Sequence, residues 1–310
     1  MLSMLCRKAR AAALLGCLLP ALVATTAAAA ASAAVRAPAD GAVPRYREYV
    51  ALGDSYQADS AILPGVTTDS VPAGCAQVSY DYPHQVAAAL GVADFKDATC
   101  GGAVSGDMTG PQPVPLGANP PQFSRLSRDT DLVTVGIGGN DLDLIGLIGR
   151  CLALLPLPTT TCPHDPFTAR IAAEQQVVGG VLAGIHQRAP HARVLLVNYL
   201  AVFPERGGCW PYVPIGDQDM PYLHRTLVAV DAMLGRAAAA DPRGTELVDT
   251  YTPSIGHDVC QGPRVRWVEG LLPLSLNTPG VAVPFHPNRA GADAQARAVL
   301  ARVGAGAPVR

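Results

Sequence analysis

Short apolar runs that stop at a glycine or a turn alternate along this chain with longer segments of helical periodicity. Tyr49-Val-Ala-Leu52, which ends at Gly53, has the length and continuity of a strand covered on both faces. Asp131 to Ile137, stopped by Gly138-Gly139, repeats the pattern, as do Ala192 to Val197 and the shorter Glu246 to Asp249. Between and after these runs, Tyr82 to Leu90, residues 166–189, Tyr222 to Ala240 and Arg289 to Val303 carry apolar residues at helical spacing. Asn288 stands where it would cap the last of them. Such alternation predicts an α/β domain, a three-layer αβα sandwich with a mostly parallel central sheet. The remaining stretches, 57–81, 100–122, 151–165, 204–221 and 255–285, are rich in Pro, Gly and Cys. Loops of that length need something besides packing to order them.

The N-terminus reads as an export signal. Arg7, Lys8 and Arg10 form a basic cluster, an almost wholly apolar run follows from Ala11 to about Ala31, and small residues come next. That order predicts a signal peptide over residues 1–34, cleaved near Ala34. The rival is an uncleaved anchor, which the weak hydrophobicity of alanine argues against. Residues 35–46 are expected to be a flexible lead into one domain spanning 47–310. The formal net charge of −2 falls to −5 once the three leader cations are removed. A mildly acidic chain has no electrostatic case for nucleic acid. No later apolar run reaches membrane-spanning length, and a monomer is expected.

Export also sets the reading of the cysteines. Six follow the leader, at Cys75, Cys100, Cys151, Cys162, Cys209 and Cys260. An even count in an exported chain predicts disulfides, with fifteen possible pairings. Sequential pairing, Cys75–Cys100, Cys151–Cys162 and Cys209–Cys260, is the simplest, because each bridge then staples one local excursion. A metal site is the rival, but none of the six has C-x-x-C spacing or a histidine at zinc-finger distance. Neither metal nor cofactor is expected.

Ser55, directly after the first strand and its glycine, falls at the C-terminal edge of a parallel sheet, where open α/β sheets collect ligands. A helix following at once would aim its N-terminal amides at a developing anion there. Alone, a serine in such a turn is more often a cap than a nucleophile. Three further segments change the balance. Cys100-Gly101-Gly102-Ala103 offers unobstructed backbone N–H groups, and Gly138-Gly139-Asn140-Asp141 adds a side-chain amide at another strand end. His286-Pro287-Asn288 puts a base just before the last helix.

Taken in order, Gly53-Asp54-Ser55-Tyr56 and these three blocks resemble the SGNH (GDSL) hydrolase superfamily, in particular its secreted actinomycete lipase/esterase branch. The resemblance runs from about residue 48 to 303 and includes the connecting Gly74-Cys75, Gly110-Pro111-Gln112 and Gly256-His257-Asp258-Val-Cys260. It implies an SGNH, flavodoxin-like fold and three sequential disulfides, in agreement with the pairing preferred on spacing. It further implies that Ser55 attacks an ester carbonyl, that His286 is the general base, and that the Ser55 and Gly102 amides and the Asn140 side chain form the oxyanion hole.

Two departures from that pattern matter. Many relatives carry an Asp three residues before the histidine; here Val283 stands there. A Ser55–His286 dyad is therefore expected, with a backbone carbonyl, that of Val283, accepting the imidazole Nδ1–H. Asp249 and Asp258 are the alternative sources of a carboxylate. The second departure is Gln57-Ala58-Asp59, which leaves substrate preference open. Leu142, Leu144, Ile145, Leu147 and Ile148 are candidates for an acyl groove, with core packing the equal rival; Asp141 and Asp143 resemble a metal pair but lack further hard ligands. The leading reading is a secreted carboxylic-ester hydrolase acting on acyl esters or lipids. A polysaccharide deacetylase and a non-catalytic cell-surface module are the alternatives, and the second would not be expected to retain all four site residues.

Overall fold

The computed structural model of the chain describes residues 46–62, 65–153, 162–163, 167–272 and 281–305. The expected leader and nearly all of the lead segment after it lie outside them. Five parallel strands make the central sheet: β1 (Glu48–Gly53), β2 (Asp94–Asp97), β3 (Leu132–Gly136), β4 (Arg193–Val197) and β5 (Glu246–Val248). Their spatial order is β2-β1-β3-β4-β5. In this order the chain winds one way from β1 and then the other, so the crevice of the sheet opens beside the C-terminal ends of β1 and β3.

The alternation of side chains along each strand divides the core in two. Val50, Leu52, Val133, Val135, Val194 and Leu196 face α3 (Thr168–Arg188) and α4 (Met220–Ala240), in one cluster with Val178, Leu182, Ile185, Val230 and Leu234. Tyr49, Ala51, Leu132, Leu195, Val197 and Val248 face α1 (Tyr82–Leu90) and α5 (Arg289–Ala305), with Val86, Val299 and Val303. Both faces are covered, which is why the strands read as continuous apolar runs. The result is the three-layer sandwich.

Helix ends follow local chemistry. Asp81 Oδ1 accepts the His84 N–H at the start of α1, and Gly91 closes the helix in a left-handed conformation. Asn288 Oδ1 accepts the Ala290 and Gly291 N–H groups at the start of α5. The expected strands and helices appear with ends shifted by a residue or two. Of the central-sheet strands and the helices of eight or more residues, two escape the sequence pattern. One is β2, a polar Asp-Phe-Lys-Asp edge strand; the other is α2 (Leu144–Cys151), whose residues were legible only as apolar. Three disulfides join Cys75–Cys100, Cys151–Cys162 and Cys209–Cys260, the sequential pairing. No helix among the described residues is long and apolar enough to cross a membrane.

Candidate active site

Ser55 lies in the turn that leaves β1. The Gly53 carbonyl accepts the Cys100 N–H (3.1 Å) and the Gln122 side-chain amide (2.9 Å), fixing the strand end to the Cys100–Ala103 block. Asp54 then organises the turn: its N–H donates to Gly136 O, its Oδ1 accepts the Tyr56 N–H (2.9 Å), and its carbonyl accepts the Gln57 and Ala58 amides. The turn does not run on into a helix, so no helix dipole bears on Ser55. Gln57, Ala58 and Asp59 are fully buried; Gln57 packs against Gly53 and Gly136, and Asp59 Oδ2 accepts the Tyr82 N–H. None of the three is among the residues that line the cleft.

His286 reaches the same point from the other end of the chain. Its Nε2 lies 2.7 Å from Ser55 Oγ, and its Nδ1 lies 2.9 Å from the carbonyl of Pro284. The sequence-based choice of carbonyl is therefore off by one. Val283 O instead accepts the His286 backbone N–H (3.1 Å), because Phe285 takes a left-handed φ of 65° and folds the chain back over the imidazole. Paired backbone bonds to Glu269 hold this bend: Phe285 N–H to Glu269 O and Glu269 N–H to His286 O. Behind them Glu269 is buried against Arg266 (2.8 Å) and accepts from Asn288 Nδ2 (3.0 Å). Asp249 and Asp258 are engaged elsewhere, with the Thr252 N–H and with the Cys260 N–H and Gln261 side chain. Burial dominates the imidazole, lowering its pKa to about 4 despite the Pro284 carbonyl, so the ring is neutral at neutral pH.

The two candidate donor blocks are fixed by their own hydrogen bonds. Gly101 N–H donates to Cys75 O, and Gln112 Nε2 donates to Gly101 O, setting the peptide so that Gly102 adopts a φ of 77° open to glycine. Asn140 Nδ2 donates one hydrogen to Ala103 O (2.9 Å), which draws the two donor blocks together, and Asn140 lines the cleft. The Ser55 and Gly102 amides have no hydrogen-bond acceptor among the described residues. Ser55 Oγ thus has a neutral imidazole as partner, the Asn140 amide lines the same cleft, and the Ser55 and Gly102 amides are uncommitted.

Around Ser55, Asn140 and His286 opens a cleft lined by Leu144, Ile145, Leu147 and Ile148 of α2, Val202, Phe203, and Leu223 and Leu227 of α4. Four of the five candidate groove residues thus face it; Leu142 is buried in the core and does not. Asp141 accepts the Ser105 N–H, and Asp143 pairs with Arg150 (2.9 Å), so the two carboxylates serve separate structural contacts. Among the described residues, Asp81, His84 and Asp97 have a metal-ligand donor set, outside the cleft. Asp81 Oδ1 lies only 2.6 Å from His84 Nδ1, whereas two ligands of a tetrahedral zinc stand about 3.3 Å apart. That contact is a hydrogen bond that extends the α1 cap.

Sequence reasoning missed Tyr199. Its hydroxyl accepts the Gly139 N–H (2.9 Å) and donates to Asp54 Oδ2 (2.7 Å). Burial pushes the Asp54 carboxyl up to about 7 against the pull of that hydroxyl. The available signal was its position, just beyond β4 at the sheet edge that carries Ser55 and Asn140. Tyr56 forms a second link: its hydroxyl donates to Phe285 O (2.8 Å), tying the Ser55 turn to the histidine loop.

Ser55 and His286 thus pair at the carboxyl edge of a parallel α/β sheet. The chain belongs to the GDSL-like lipase/acylhydrolase family, matched over residues 51–294. It is 36% identical over 257 residues to Lipase 2 of Streptomyces coelicolor, covering 79% of this chain and 81% of that one. It is 30% identical over 296 residues to an esterase of Streptomyces scabiei, covering 82% and 85%. The fold is that of phospholipase A1 from Streptomyces albidoflavus NA297, with a TM-score of 0.61 at 22% identity over 83% of this chain and 99% of the other.

Proposed function

We propose that this chain is a secreted carboxylic-ester hydrolase that works through an acyl-enzyme on Ser55. The observation that carries the reading is the 2.7 Å contact between Ser55 Oγ and a buried, neutral His286 Nε2 in an apolar cleft. In the first half-reaction His286 takes the Ser55 proton as Oγ attacks the ester carbonyl. The tetrahedral oxyanion accepts from the Ser55 and Gly102 N–H groups and from Asn140 Nδ2. One such donor contributes about 3–4 kcal/mol to the transition state. His286 then protonates the departing alcohol, and the ester C–O bond breaks. A water molecule repeats the sequence against the acyl-enzyme and releases the acid.

The Pro284 carbonyl takes the part usually given to aspartate. It holds Nδ1 as the protonated nitrogen and leaves Nε2 free to accept, though it stabilises the imidazolium less than a carboxylate does. An apolar lining favours acyl esters over small polar ones and weighs against a deacetylase of polysaccharides. Export is supported by the leader pattern over residues 1–34 and by three disulfides, which persist in oxidising surroundings. The test is Ser55→Ala with a fluorophosphonate probe. Hydrolysis of p-nitrophenyl esters and labelling of the protein are both expected to vanish while the melting temperature holds. Full turnover in that variant would refute the assignment.

A further inference from the structure

We infer that Tyr199 is a positioning residue whose hydroxyl bridges the nucleophile turn and the Gly139–Asn140 turn, and so sets where the Asn140 amide stands relative to Ser55. The inference rests on the catalytic assignment proposed above and adds a component to it. β3 ends at Gly136, so the sheet ladder supplies no acceptor for the Gly139 N–H three residues later. A buried backbone donor must find one. The acceptor comes from the neighbouring strand end: Tyr199 Oη, two residues beyond β4, takes that N–H at 2.9 Å. The hydroxyl in turn donates at 2.7 Å to Asp54 Oδ2, beside the nucleophile at the end of β1. One chain of two hydrogen bonds thus crosses the C-terminal edge of three adjacent strands.

The rest of the site treats this bridge as fixed. A Cβ at position 139 would lie 2.7 Å from Tyr199 Oη and 3.1 Å from its Cζ, so the second glycine of Gly138-Gly139 is required by the approach of the tyrosine. Tyr199 is itself held from two sides, by its backbone N–H on Asp231 Oδ1 (3.0 Å) and by an edge contact with the Tyr56 ring (5.0 Å between centroids). The turn it holds behaves as one unit, because the Gly138, Gly139 and Asn140 carbonyls accept the Leu142, Leu144 and Asp143 amides. Moving Gly139 therefore moves Asn140. With phenylalanine at 199 the ring still packs, but the Gly139 N–H and Asp54 Oδ2 each lose a partner where water has little access.

The experiment is a double-mutant cycle between Tyr199→Phe and Asn140→Ala, read with p-nitrophenyl butyrate. Tyr199→Phe alone is expected to lower kcat at least tenfold, with KM within threefold of the parent and the fold intact by circular dichroism. In the Asn140→Ala background the same substitution is expected to cost less than twofold, because the group it positions is gone. The same cycle with Asp54→Asn, which turns the acceptor of the tyrosine O–H into a donor, breaks the bridge from its other end and should show the same non-additivity. An unchanged kcat in Tyr199→Phe, or losses that simply multiply in either folded cycle, overturns the inference. Turnover by the parent and its loss in Ser55→Ala test the catalytic assignment separately, so failure of one is distinguishable from failure of the other.

Discussion

His286 Nδ1 lies 2.9 Å from the carbonyl oxygen of Pro284, two residues back on its own loop. The imidazole is thus oriented by local backbone and carries no charged neighbour on that nitrogen. What a carboxylate elsewhere supplies by charge is here supplied by shape: the left-handed Phe285, the Glu269 backbone pair and the Tyr56 hydroxyl all hold the loop in place. A non-glycine residue at positive φ costs of order 1–3 kcal/mol, so the loop is kept in this bend by its surroundings.

This geometry fixes the acid side of the pH profile. Burial lowers the His286 pKa to about 4, and only the neutral ring can accept the Ser55 proton. The limb of kcat/KM that belongs to His286 is therefore expected to fall as the pH drops through about 4, well separated from any step due to Asp54 at about 7. Initial rates with a fluorogenic ester across pH 3.5–8 measure this. An inflection between pH 6 and 7 that persists in Asp54→Asn, and so does not come from the Asp54 carboxyl at about 7, would show a negative charge beside the imidazole and remove the carbonyl-only account.

Ile145 offers a test of the acyl cleft that spares the core. It lines the cleft yet is 47% exposed, unlike Leu147 beside it. Ile145→Asp places a charge where an acyl chain would lie. The variant is expected to lose about tenfold in kcat/KM on octanoate esters, as roughly two buried methylenes would predict, and to stay within twofold on acetate. Equal losses on both esters would place Ile145 outside the acyl path.

Much of this arrangement is legible in the amino-acid order, and the exceptions share a cause. β1, β3 and β4 are readable because strands covered on both faces must be apolar throughout, and Ser55 and Asn140 are readable because each directly follows such a run. The edge strand β2 hides because Asp-Phe-Lys-Asp has no apolar run to show. Pro284 replaces Val283 because Phe285 turns left-handed, a conformation a phenylalanine does not announce. Gln57 and Asp59 are visible in the sequence only as a departure from the family pattern, because nothing in the order of residues shows that these polar side chains are fully buried. Tyr199 is silent for a different reason: its role lies in bonds to residues 60 and 145 positions away.

The Cys75–Cys100 bridge should support both the fold and the oxyanion block. It closes a loop of sequence separation 25, and its two cysteines also hold the backbone: Cys100 N–H donates to Gly53 O, and Gly101 N–H to Cys75 O. Restricting an unfolded loop of that length stabilises by about 3 kcal/mol. Cys75→Ala/Cys100→Ala is expected to melt roughly 6–12 °C lower by calorimetry. Because the donor block loses its anchor, kcat should also fall well below the transition. A variant with unchanged melting would show that the bridge is not a stabilising constraint.

Asp97 tests the buried acid cluster beneath α1. Its Oδ1 accepts the Thr99 N–H (2.9 Å) and hydroxyl (2.7 Å), while Oδ2 lies 3.5 Å from His84 Nδ1. Burial first, and then the neighbouring Asp81, hold the Asp97 carboxyl well above its usual range. A carboxyl raised in the fold favours folding while protonated; that contribution is complete below the unfolded value of 3.8 and is lost as pH rises through the native one. Above the unfolded value the carboxyl therefore works against the fold, whether it stays protonated or ionises. Asp97→Asn keeps the oxygen that Thr99 uses and replaces Oδ2 with a donor facing the Asp81 carboxyl. The variant is expected to melt higher than the parent at pH 8, with the gain shrinking toward pH 4, in thermal scans at the two values. A melting temperature lowered equally at both would show that the carboxylate stabilises this site through its hydrogen bonds and that its charge is no burden there.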